Sequence, residues 1–217
     1  MELRSGETIG YEALTRFDAG QRPDIAFADA WSIGKGAQLE LATIEAAVTA
    51  ARGLPTGRCL HVNVSPRLLQ DTPSVAALLA KADRPVIVEI TEHELIDDYA
   101  AVRAACTSLG PDVRLAVDDA GVGVANFGHI VELRPDFVKI DISLIRGVNA
   151  DPGRQALVVA MSHFARTAGC RLVAEGVESE AEARTLKDLG VEYAQGYFFG
   201  RPGTVERWAT EMAAPAS

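Results

Sequence analysis

Two adjacent carboxylates, Asp118 and Asp119, follow the apolar run Leu115-Ala116-Val117 and precede Gly121 and Gly123. Like charges sharing a site push a pKa upward, so the pair needs a cation, a proton or full hydration. A solvated turn meets that need, since Asp and Gly are common turn residues; a metal site meets it equally. The other apolar segments decide between the two. Glu12 follows Thr8-Ile9-Gly10-Tyr11, Asn63 follows Leu60-His61-Val62, and Glu89 lies inside Val86-Ile87-Val88-Glu89-Ile90. Lys139 sits within Phe137-Val138-Lys139-Ile140, Glu175 follows Arg171-Leu172-Val173-Ala174, and Gln195 follows Tyr193-Ala194. A charge in such surroundings is costly unless paired or metal-bound. Carboxylates with an amide, without cysteine or paired histidines, suit Mg²⁺ or Mn²⁺ better than zinc or copper. Two such ions held close together activate a water and stabilise the leaving oxygen in phosphodiester hydrolysis.

These residues must be carried by strands. Residues 60–64 alternate with a period of two, which puts His61 and Asn63 on one face and Val62 and Val64 on the other. Residues 86–90 form a β-branched run of the kind buried on both faces. Between the seven strand-like segments lie stretches with helical spacing at 25–33, 39–51, 74–82, 97–109, 126–133, 151–167 and 180–189. Asp151-Pro152 is an N-cap with proline at the first helical position, and Ser179 with Glu182 forms a capping box, as does Thr91 with Glu94. Trp208 lies in a terminal helix. Strand and helix alternate with no linker, charge block or low-complexity tract, so residues 1–217 read as one parallel α/β domain. An open doubly wound sheet and a barrel both satisfy that order. Polar residues at the same end of every strand favour the barrel, whose active site is built at the C-terminal strand ends. Seven strands are counted, one short of a full barrel.

The net charge of −9 and the lack of a basic stripe interleaved with aromatics argue against binding to a DNA or RNA polymer. Small phosphorylated ligands stay compatible, because cations and one or two basic side chains meet their charge locally. No segment is apolar over the roughly 18 residues of a membrane helix, and no signal peptide opens the chain, so a cytoplasmic location is expected. Cys59, Cys106 and Cys170 have no C-x-x-C spacing and read as buried reduced thiols.

The motifs, taken together, resemble the EAL domains that hydrolyse cyclic di-GMP. The resemblance rests on Tyr11-Glu12-Ala13-Leu14-Thr15-Arg16, Asn63-Val64-Ser65-Pro66, Glu89-Ile90-Thr91-Glu92, Asp118-Asp119, Val138-Lys139-Ile140-Asp141, Ala174-Glu175-Gly176-Val177-Glu178 and Gln195-Gly196-Tyr197-Phe198-Phe199. It spans residues 10–202 in family order and spacing. It implies an α/β, TIM-like (β/α) barrel of the EAL type and a two-metal, Mg²⁺- or Mn²⁺-dependent phosphodiesterase that opens cyclic di-GMP to linear pGpG. By the same resemblance Glu12, Asn63, Glu89, Asp118 and Asp119 are metal ligands, Glu175 is a ligand or base beside the attacking water, and Lys139 orients or polarises that water. Gln195 supports the second metal, Arg16 contacts phosphate or guanine, and Glu92 and Glu178 secure loops. Glu175, Lys139 and Glu12 are the residues on which catalysis is expected to depend.

Two departures stand out. The family reads D-D-F-G-T-G where this chain has Ala120 and Val122, in a loop that shapes the metal site and the dimer contact. The family's first strand, containing Q-P-I, does not occur, which matches the count of seven strands and implies a late start or closure by a partner chain. The resemblance also implies a possible homodimer and an upstream sensor domain. The competing readings are a weak or inactive EAL domain serving as a cyclic-di-GMP receptor or protein-interaction module, and a barrel hydrolase of another phosphoester.

Overall fold

The computed structural model describes residues 1–17, 20–91, 96, 98–120 and 126–211. Its strands are β1 (Gly10–Glu12), β2 (Cys59–Asn63), β3 (Val86–Thr91), β4 (Val113–Ala120), β5 (Phe137–Ile140), β6 (Arg171–Ala174) and β7 (Tyr193–Ala194). Helices α1 (Pro23–Ser32) and α2 (Gly36–Ala51) follow β1, α3 (Thr72–Leu79) follows β2, α4 (Tyr99–Ser108) follows β3, and α5 (Asn126–Leu133) follows β4. Beyond β5 come the short α6 (Ile142–Ile145) and the long α7 (Pro152–Ala168); α8 (Glu180–Asp188) links β6 to β7, and α9 (Val205–Glu211) closes the order. The strands run in sequence order, each parallel to the next, as a curled, barrel-like sheet.

Local chemistry accounts for these elements. The Asp151 carboxylate accepts from the N–H groups of Gly153 and Arg154, and Pro152 loses nothing by lacking an N–H in the first turn. Gly169 ends α7 at φ 78°, a left-handed conformation that suits glycine. On α2 the buried residues Glu40, Ile44, Val48 and Ala51 recur at helical spacing and form the face toward the sheet. Leu60, Val62, Val86, Val88, Val117, Val138 and Leu172 belong to the same aliphatic core.

At two strand ends the departure from expectation has a backbone reason. The sequence places Asp118 and Asp119 in a loop, yet both lie within β4, which runs on to Ala120. The register against β5 shifts between Val117 and Ala120, and Asp119 adopts φ 60°. A left-handed residue of this kind re-aims the chain, as at a β-bulge beside a site, and Asp tolerates it better than most side chains. Tyr193 to Phe198 reads as one strand-like piece in the sequence, but the strand stops at Ala194 because Gly196 turns the backbone at φ 152°. A Cβ there would lie 2.2 Å from the Val177 carbonyl oxygen, so the close approach of the two loops requires glycine.

No ladder joins β1 to β7 among the described residues. Glu2 instead forms an antiparallel bridge to Tyr193, with Leu3 N–H donating to Glu192 O and Ala194 N–H to Met1 O, each at 2.9 Å. The edge of β7 is thereby covered by the first residues of the chain. No disulfide forms. Cys170 is buried, whereas Cys59 and Cys106 are only half-buried, which corrects the expectation of three buried thiols. Among the described residues no helix is long and apolar enough to cross a membrane.

Candidate metal centre

The parallel registers convert spacing into a shared interior. Glu12 lies opposite His61, Asn63 opposite Glu89, and Thr91 opposite Asp118, so one face of neighbouring strands carries the polar groups. Lys139 reaches inward from β5 and is 1% exposed. Its Nζ lies 2.8 Å from Glu89 Oε2, 2.9 Å from Glu175 Oε1, 3.1 Å from Asp118 Oδ2 and 3.4 Å from Glu12 Oε2. An ammonium has three hydrogens, so four carboxylates cannot all be served fully. Glu12 has the longest of these contacts, and its Oε2 also accepts from Gln195 Nε2 at 2.7 Å. The same amide nitrogen donates to Glu175 Oε1 at 2.7 Å.

Electrostatics separates these carboxyls. Burial works to raise Glu89, but the charge of Lys139 and the hydrogen bond from His61 outweigh it and hold Glu89 below its ordinary range. Glu175 goes the other way. Burial, with the charges of Asp118 and Glu12, prevails over the pull of Lys139 and lifts Glu175 to about 9. Burial also disfavours the Lys139 ammonium, yet Glu89, Glu175, Glu12 and Asp118 hold its pKa well above normal. One ammonium is thus insufficient for the acidic groups around it, and a proton on Glu175 fills part of the deficit.

Asp118, Asp119 and Glu175 each offer a carboxylate oxygen within 4.8 Å of the others, the spacing of a cation site. Asp119 N–H donates to Asp118 Oδ1 at 2.9 Å, which fixes the turn between the two acids. The hard oxygen donors, the surplus of negative charge and the raised Glu175 fit Mg²⁺ or Mn²⁺.

Asn63 sits at the exposed end of β2, adjacent to Glu89 through the strand register. Arg16 does not pair with Glu12; its Nη1 donates to Thr15 O at 2.8 Å. Glu178 forms an exposed ion pair with Arg146 at 2.7 Å. Glu92 and Val122 lie outside the described residues, as does Glu94 of the expected capping box. Ala120 is a buried strand residue paired with Ile140 rather than a loop residue.

Supporting groups went unrecognised in the sequence. Buried Glu40 accepts from Trp31 Nε1 at 2.7 Å, Ser65 Oγ at 2.8 Å and Ser65 N–H at 3.0 Å, and so ties α1 and α2 to the loop that follows Asn63. Its signal was available: Glu40 is in phase with Ile44 and Val48 on the face toward the sheet. Glu40→Ala strands three donors and is expected to lower stability by about 2–3 kcal/mol, measured by urea unfolding. Glu182 accepts from Gly147 N–H at 2.8 Å, Glu178 N–H at 2.9 Å and Ser179 N–H at 3.0 Å. It therefore does more than close the capping box with Ser179: it anchors the loop after Glu175.

The EAL domain family profile matches residues 1–202. The chain belongs to the EAL domain family. Among curated relatives of this EAL chain is the probable cyclic di-GMP phosphodiesterase PdeG of Escherichia coli, 28% identical over 71% of the chain and 32% of the relative. The chain spans between 22% and 35% of the length of the first curated relatives it matches. Among solved structures, the EAL domain of Mycobacterium smegmatis DcpA superposes with a TM-score of 0.77 at 32% identity, covering 98% of this chain and 92% of that one. Klebsiella pneumoniae BlrP1, in a manganese and cyclic-di-GMP complex at pH 9.0, superposes with a TM-score of 0.81 at 29% identity, over 94% of this chain and 54% of that one.

Proposed function

We propose that this chain, acting as one EAL domain, hydrolyses cyclic di-GMP to linear pGpG with two divalent cations. The observation that carries the reading is the juxtaposition of the Asp118, Asp119 and Glu175 carboxylates, with Asp118 and Glu175 paired to Lys139 and Gln195 bridging Glu175 to Glu12. Asp118, Asp119, Glu175, Glu12, Glu89 and Asn63 would hold the cations, with Gln195 supporting them. When bound, these ions would activate water and stabilise the leaving oxygen.

The chain's own residues supply the rest. Lys139 keeps the carboxylates gathered and partly neutralised before any cation arrives. Glu175 holds a proton at neutral pH and would lose it to solvent on ligation, leaving a carboxylate that could ligate the cation or accept a proton from an attacking water. Arg16, near the open end of β1, presents a guanidinium fork suited to a phosphate oxygen or a guanine edge. The strongest support for this substrate is the naming of PdeG and the ligand of the BlrP1 complex.

Incubation of the protein with cyclic di-GMP and Mn²⁺ or Mg²⁺ should yield pGpG, followed by chromatography, and Glu12→Ala should abolish turnover. Calorimetric binding without product under both metals would replace this reading with that of a receptor. The substitutions Ala120 and Val122 are what favour the receptor alternative.

A further inference from the structure

The polar interior extends one layer below the carboxylates. His61 is 8% exposed and points from β2 to the underside of Glu89, its Nδ1 lying 2.7 Å from Glu89 Oε1. Glu89 also accepts from Lys139 on Oε2, so as a carboxylate it has no hydrogen to offer and Nδ1 must carry the proton of this bond. The other ring nitrogen, Nε2, faces Cys59 Sγ at 3.6 Å, and that thiol donates to Ile9 O at 3.2 Å. Gly10, opposite Cys59 in the β1–β2 ladder, makes room for the thiol: a Cβ at Gly10 would lie 2.3 Å from Sγ. A glycine, a thiol and an imidazole are thus stacked behind one carboxylate.

We propose that His61 is a positioning residue of the metal centre, clamping Glu89 by Oε1 so that Oε2 is presented to Lys139 and the cation site. This inference rests on the reading of the cluster as a metal centre and names a residue outside its ligand set. Glu89 is 1% exposed and has two polar partners, one on each oxygen. Loss of the partner on Oε1 leaves a buried acceptor unsatisfied and frees the carboxylate to rotate toward Lys139. The ammonium would then be drawn from Asp118 and Glu175, which share it. Hydrogen-bond partners that orient ligands in this way typically change metal affinity by about 10–100-fold when removed.

The test uses two amides. Asparagine places its N–H close to the position of Nδ1, whereas glutamine places it close to Nε2, so only His61→Asn retains the donor to Glu89. The full chain and both variants are titrated with Mn²⁺, free ion being read by electron paramagnetic resonance, and thermal melts are recorded without metal. We expect His61→Gln to bind Mn²⁺ about 10–100-fold more weakly than the parent and His61→Asn to remain within about threefold. Parent-like affinity in His61→Gln, or an equal loss in both variants, overturns the inference. If His61→Gln does not fold, a folded His61→Asn with parent-like affinity sustains the inference and one weakened about tenfold or more overturns it. Absence of Mn²⁺ binding by the parent overturns the metal-centre reading itself, and this inference with it.

Discussion

Replacement of Lys139 by methionine is expected to destabilise the metal-free protein by about 3–5 kcal/mol, the usual cost of removing one partner from a buried charge network. Methionine fills a similar volume, so the effect comes from charge rather than from a cavity. In the parent, Nζ lies between 2.8 and 3.4 Å from carboxylates on four different strand ends. Without it, Glu89 keeps only His61, and Glu12, Asp118 and Glu175 face one another with no cation among them. The folded-state pKa of Lys139 is raised above 10.5, so its stabilisation is fully present below that value and fades only as the pH climbs through the folded pKa. Neutral buffer therefore reads the whole effect. Urea unfolding in a chelator should give the full loss, and saturating Mn²⁺ should recover part of it by supplying replacement positive charge. A loss below about 1 kcal/mol in the chelator would mean that protons already neutralise the carboxylates and that Lys139 is dispensable to the fold.

Lys139 was legible in the sequence because an ammonium within Phe137-Val138-Lys139-Ile140 has few explanations other than a buried counter-charge. Glu89 was legible for the same reason. The partner beneath it was not, although alternation put His61 on the same face as Asn63. His61 meets Glu89 diagonally, two residues before Asn63, which is the register partner of Glu89, and strand register is set by the assembled sheet. Helix positions were recoverable from periodicity, with α5 matching its expected limits of 126–133. Asp119 shows where the local signal ends. Its φ of 60° and the shifted register between Val117 and Ala120 arise from pairing with β5, a segment some twenty residues away that no turn rule connects to it. This changes the meaning of the departure at Ala120. Placed at the end of β4, paired with Ile140 and buried in the aliphatic core, it changes a core position directly after Asp119 rather than the tip of a loop.

The second large effect concerns Glu175, whose carboxyl is raised to about 9 by burial and by the charges of Asp118 and Glu12 against the pull of Lys139. The sign follows directly. At pH 7 the metal-free protein holds a proton on Glu175, and a cation can take this oxygen only after the proton leaves. Mn²⁺ binding should therefore release close to one proton near neutrality, and apparent affinity should rise by up to about tenfold per pH unit until the pH passes roughly 9, above which it should level off. Calorimetry in buffers of different ionisation enthalpy measures that release. Glu175→Gln removes both the proton and the ligand charge while keeping an amide oxygen to meet Lys139 and Gln195. The variant should release no proton from this position, and its affinity should vary little with pH over the same interval. Its turnover of cyclic di-GMP should fall by about 10²–10⁴-fold, the usual contribution of a positioned general base. The two readouts separate the roles of the residue. Lost pH dependence with retained turnover would make Glu175 a ligand that is not required as a base; lost turnover with unchanged proton release would place the raised pKa on another acid of the cluster. Both effects disappearing together is the result expected if one carboxyl, protonated at rest and freed on ligation, couples cation binding to activation of the water.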